Sequence, residues 1–178
     1  MSDPILDAIL ENSPEWMFGE ESETASNLYG LGVHRDVVLT DVETYGKSDK
    51  GFGYRLGLKV ALKENMPYMI RVDLAQTLEA NGHEIEDWMQ KRQDKRAKFT
   101  NEALKALGFN RELTKPIDDD MAYDAVVNVF RQLIGNAFTC KIAEDGKNVK
   151  DESAEHGWRF EPNGFTKCVW MRPQRVKK

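Results

Sequence analysis

The sequence predicts a mainly β protein with a helical insertion, in the α+β class. Three observations carry this. From Val33 to Leu74 apolar residues alternate with polar or small ones at the period of a strand. From there to Gly135 the period becomes helical, and after Ala137 the alternation returns.

The first strand, about Val33–Thr44, changes parity midway: Val33, Val37 and Leu39 share one parity, Val38 and Val42 the other. A bulge, or burial of both faces, accounts for that. TYGKSDKG is turn-rich. The second strand is the clearest, with Phe52, Tyr54, Leu56, Leu58, Val60 and Leu62 on one face and Gly53, Arg55, Gly57, Lys59, Ala61 and Lys63 on the other. KENMP links it to a third strand, where Tyr68, Ile70, Val72 and Leu74 oppose Met69, Arg71 and Asp73.

LAQTLEANG then reads as a short helix closed by Gly82. IEDWMQKRQDKRAKFTNEALKALG holds one or two helices with a stripe of Phe99, Ala103, Leu104 and Leu107. Lys91, Arg92, Lys95 and Arg96 gather on one side of it. DDDMAYDAVVNVFRQLIG gives a cleaner helix, with Ala122, Ala125, Val126, Val129, Phe130 and Leu133 at helical spacing and Gly135 as its stop. NAFTCKIAED forms a strand, EDGKNVKDESAEHG a long polar connection, and GWRFEPNGFTKCVWMRP a strand, a Pro-Asn-Gly turn and another strand.

This order is expected of an OB-fold, a five-stranded Greek-key barrel, here with an enlarged helical insert between strands 3 and 4. The expected organisation is an acidic N-terminal arm over 1–30, a domain over 31–173 with the insert at about 75–135, and a basic tail over 174–178. Residues 2–12 suit a short amphipathic helix. The exposed edges of a partly open barrel admit a homodimer.

Charge narrows the function classes. The 178 residues carry a formal net charge of −5, but residues 1–34 hold seven acidic side chains and no Lys or Arg. The rest has 25 basic and 23 acidic side chains. An acidic total is compatible with a local basic groove. No apolar run is long enough for a membrane span, and no basic, apolar leader opens the chain. Two cysteines, Cys140 and Cys168, supply no disulfide framework, which suits a cytoplasmic setting.

The binding surface of an OB barrel lies on strands 2 and 3 and the loops after strands 1 and 4. Those regions hold Arg55, Lys59 and Arg71 on the strands, Tyr45, Lys47 and Lys50 in the first loop, and Phe52 and Tyr54 beside them. Trp158, Arg159 and Phe160 close the last long loop. Cations neutralise phosphate while aromatic faces stack on unpaired bases, and glycines allow close approach of a ligand. Phe52, Tyr54 and Tyr68 share the core parity, so the Gly53–Arg55–Gly57–Lys59 face is the sharper candidate.

The glycine-punctuated GFGYRLGLKV, the helix ending ALKALGF, the LIGNAFTCKI junction and the closing aromatic strand resemble the OB-fold single-stranded-DNA-binding proteins of tailed bacteriophages. The resemblance covers roughly residues 33–172. It implies a protein of the host cell cytoplasm that coats single-stranded DNA during replication, recombination or repair, without catalytic residues or cofactor. Many such proteins end in an acidic tail that recruits partners, whereas this chain ends MRPQRVKK and is acidic at the other end.

The competing reading is an OB-like interaction module that binds replication or recombination proteins. A metal-dependent nuclease is a third. It would use Asp118, Asp119 and Asp120 with Glu144, yet the three aspartates stand where a helix takes its N-cap. His34, His83 and His156 are scattered, and no phosphate-binding glycine loop or nucleophile elbow occurs.

Overall fold

The computed structural model describes residues 29–48, 53–79, 82 and 84–174. Among these residues are five strands and two helices: β1 (Gly32–Ser48), β2 (Gly53–Ala61), β3 (Pro67–Asp73), α1 (Asp87–Ala106), α2 (Asp120–Gln132), β4 (Ala137–Lys150) and β5 (Trp158–Pro173). A 3-10 turn at Lys63–Asn65 links β2 to β3. The strands form one sheet in the order β3-β2-β1-β4-β5, and the registered pairs are antiparallel. The expected short helix and most of the acidic arm (1–28), Lys50, Phe52 and residues 175–178 of the basic tail lie outside the described residues.

By contact the described residues divide into two compact units, 32–142 with 168–174, and 29–31 with 143–167. In the first, the alternation of β2 and β3 pairs Leu56 with Val72, Leu58 with Ile70 and Val60 with Tyr68, all buried. Burying such side chains is worth about 1.5–3 kcal/mol each, so this face fixes the register. β1 adds Val37, Leu39 and Val42, and β4 adds Phe138, Cys140 and Ile142. The parity change in β1 is a bulge: Leu39 pairs with Val60 and Asp41 with Lys59, leaving Thr40 as the extra residue.

The helices close the core with Ala103 and Leu104 from α1, Leu107 at its C-cap, and Tyr123, Val126, Val127 and Phe130 from α2. The stripe of α2 is rotated from expectation, since Ala125 is exposed while Tyr123 and Val127 are buried. Asp119 is the N-cap of α2 and accepts from the Ala122 N–H at 2.7 Å.

The described part of LAQTLEANG, 74–79, is irregular and does not form the expected helix. Tertiary partners take its backbone groups instead. Leu74 N–H donates to the Tyr54 carbonyl, Gln76 N–H to Gln93 Oε1 at 2.8 Å, and Thr77 N–H to Asp118 Oδ1 at 2.8 Å, while the Ala75 carbonyl accepts from Ile117 N–H. These partners satisfy the backbone of the segment in an extended, irregular path.

The polar run after Ala143 is also not a loop. β4 continues to Lys150, and β5 starts at Trp158. Most side chains of this hairpin are exposed or half-buried, so its strands carry no apolar alternation to be read. Asp151 organises its turn, accepting from Ser153 N–H and Oγ–H, and those bonds hold its carboxyl below the usual range. Pro162-Asn163-Gly164 is no turn but lies inside β5, where Gly164 takes φ 82° and Asn163 donates to Asp145.

Candidate nucleic-acid interface

The two sides of β2 separate the candidate residues. On the side away from the core, Arg55 pairs in register with Asp73, Gly57 with Arg71 and Lys59 with Met69. β1 contributes Asp41 opposite Lys59 and Glu43 opposite Gly57. Arg55, Lys59 and Arg71 therefore share one face, as expected.

Tyr45 joins them. It is the extra residue of a second bulge, between Thr44 (opposite Leu56) and Gly46 (opposite Arg55). A Cβ on Gly57 would stand 2.5 Å from Met69 Sδ and 3.1 Å from Tyr45 Cε2. The Tyr45 ring thus lies on bare backbone, a place only glycine leaves open. It remains 48% exposed.

Tyr54 and Lys47 belong elsewhere. Tyr54 is 3% exposed and stacks on Tyr123 with ring centroids 5.2 Å apart, so it is a core residue and offers no platform. Lys47 registers with Tyr54 rather than with Arg55, and its Nζ stands 6.0 Å from the Tyr54 ring. The bulge at Tyr45 causes this, because one extra residue turns every later side chain over.

The charges of the face compensate one another. Arg55 Nε donates to Asp73 Oδ1 at 2.5 Å, and Lys59 Nζ is 3.7 Å from Glu43 Oε2. Arg71 is exposed and forms no ion pair among the described residues. With Asp41 present, three cations face three carboxylates.

α1 also reaches this face. A Cβ on Gly53 would collide with the Gln76 side chain, and Gln76 N–H bonds Gln93 of α1, so α1 abuts the Arg55 end of the face. Arg96 is half-buried there: burial lowers its pKa, the Asp73 carboxylate opposes that, and Arg92 and Arg55 add repulsion. One turn earlier, the Arg92 guanidinium lies 5.0 Å from the centroid of the Trp88 ring, which is 50% exposed. The signal was legible as Trp88, Arg92 and Arg96 at i, i+4 and i+8.

The hairpin unit presents its own aromatic surface. Trp158 and Phe160 are exposed, and Phe165 with them. A Cβ on Gly146 would stand 2.7 Å from Phe160 Cζ, so Phe160 also lies against bare backbone. Arg159 is held by Asp151 at 3.3 Å and Glu161 at 3.7 Å, which offsets its charge.

The aspartates at the start of α2 are each engaged. Asp118 accepts from Thr77 N–H and Oγ–H, which holds its carboxyl below the usual range; Asp119 caps the helix; Asp120 accepts from the Tyr54 hydroxyl at 2.7 Å. Among the described residues no three His, Cys, Asp or Glu side chains gather to hold a metal ion, and no helix is long and apolar enough to cross a membrane. No protein-family model matches the chain, and a search of curated proteins returns no match.

Proposed function

We propose that the protein binds single-stranded DNA with little sequence preference through the outer face of β2 and β3. The observation that carries this is the half-exposed Tyr45 ring seated on Gly57 among Arg55, Lys59 and Arg71. A ring so placed offers one free π-face to an unpaired base, and the cations around it meet phosphate. Stacking is worth about 1–3 kcal/mol per base, and a base inside a duplex has no free face to give. The preference for single strands follows.

The strand order β3-β2-β1-β4-β5, with both helices between β3 and β4, supports reading the sheet as an OB barrel with a helical insert. The resemblance to phage single-stranded-DNA-binding proteins points the same way, toward a coat protein of replication, recombination or repair acting in the host cytoplasm without catalysis. The test is fluorescence anisotropy of labelled oligo-dT against a duplex of equal length at low salt. Binding to oligo-dT well above duplex is expected, and equal, negligible changes would sink the reading.

A second reading, an interaction module for replication or recombination proteins, is favoured by the hairpin unit. Its exposed Trp158, Phe160 and Phe165, beside the compensated Arg159, suit an apolar protein partner as well as bases. Retained oligo-dT binding after Trp158→Ala and Phe160→Ala substitution would leave that surface to a protein partner.

A further inference from the structure

The β2–β3 face has the ring and the geometry for a base, but its three cations face three carboxylates, and two of the cations are already paired. A polyanion needs net positive charge to displace counterions. Further cations stand on α1. Arg96 stands close enough to Arg55 and Asp73 to feel both charges, and Arg92 follows one turn away. Lys91 and Lys95 are exposed on the same helix, with Asp94 on the side that lines the 200 Å³ hollow between α1 and 113–117.

Trp88 completes the row. Arg92 covers one face of its indole, and the Nε1–H donates to the Glu86 carboxylate, which fixes the ring at the helix start. A ring held by a guanidinium on one side and half-exposed is pre-ordered for a base on the other, with little side-chain entropy left to lose. Trp88 to Arg96 spans eight residues of helix, about 12 Å.

We propose that α1 is the second wall of the single-strand path: Trp88 stacks on a base, and Arg92 and Arg96 bind the phosphates that the self-compensated β2–β3 face holds poorly. This rests on the single-stranded-DNA reading above. It adds a site to that reading and assigns most of the electrostatic affinity to the helix rather than to the strands.

The experiment compares oligo-dT with an abasic deoxyribose-phosphate oligomer of equal length, titrated against the full chain. Trp88→Ala is expected to weaken oligo-dT binding by about 5- to 100-fold and leave abasic binding nearly unchanged, while Trp88→Phe restores much of the loss. Arg92→Ala with Arg96→Ala should weaken both ligands and lower the slope of log K against log salt by about 1.4. Trp88 is half-exposed, so its replacement leaves the core intact, and rescue by Phe excludes a folding defect. If the wild-type chain binds oligo-dT and Arg71→Ala weakens it, yet the α1 variants keep affinity and slope, the wall is refuted and the strand face stands. If α1 instead binds an acidic peptide, lost in Arg92→Ala, while oligo-dT binding is untouched, the row is a protein site. Absence of oligo-dT binding by the wild-type chain overturns both readings.

Discussion

The Tyr123 hydroxyl donates to the Arg55 carbonyl oxygen at 2.5 Å and accepts from the Tyr45 and Gly46 N–H groups at 3.1 Å each. One buried phenol on α2 thus uses its donor and both its lone pairs on the β1 bulge and the strand beside it. Tyr123→Phe leaves two N–H groups and a carbonyl short of a partner. A loss of about 1–3 kcal/mol in urea unfolding is expected, together with weaker oligo-dT binding, because the bulge carries Tyr45. Unchanged stability would mean that water takes over these groups.

Gly57→Ala tests the Tyr45 platform directly. The added methyl pushes on Met69 Sδ and on the Tyr45 ring, and the flexible Met69 yields more cheaply. A stability cost of about 1 kcal/mol is expected. Oligo-dT affinity should fall several-fold more than affinity for an abasic oligomer. Equal losses for the two ligands would show that Tyr45 does not stack.

The pair between Arg55 and Asp73 holds back charge, so Asp73→Asn should tighten DNA binding. Partly exposed pairs are worth about 0.2–1 kcal/mol, which corresponds to a gain of up to about fivefold and a comparable small loss of stability. A steeper salt dependence should accompany the gain. Weaker binding would identify Asp73 as the residue that orients Arg55 for its ligand.

The bond from Tyr54 to Asp120, helped by burial and by the charges of Asp120, Asp119 and Asp118, pushes the Tyr54 phenol up to about 12. In the unfolded chain it titrates near about 10. The folded state therefore keeps this proton more tightly. Its contribution is full below pH of about 10 and is lost as pH rises through about 12. Relative to Tyr54→Phe, the wild-type advantage should shrink across that window in unfolding experiments. A constant difference would show that the bond adds nothing specific to the neutral phenol.

The strands of the core and the helix frames were legible because burial imprints a period. Leu56, Leu58 and Val60 could lie on one face only, and Val126 and Phe130 likewise. Even the parity break at Val37–Val42 announced the bulge at Thr40. The failures occurred where long-range polar partners decide. Gln93 and Asp118 accept the N–H groups of Gln76 and Thr77 and hold 74–79 in an irregular path where residue preferences favour a helix. The solvated hairpin of 143–167 has no buried face to leave a pattern. At the site, Arg55, Lys59 and Arg71 were found together from parity alone. That two of the three are compensated depends on Asp73 and Glu43 in neighbouring strands, which a pattern within one strand does not reveal.

The bulge at Tyr45 makes chain length a variable of charge. It turns Lys47 toward Tyr54, away from the face that carries Arg55. Inserting one residue after Gly46 would set Lys47 opposite Gly53, on the side that carries Arg55, adding a cation to the face with every existing residue unaltered. In this corner of the sheet an insertion or deletion acts as a charge mutation, and its counting frame is the backbone rather than the side chains.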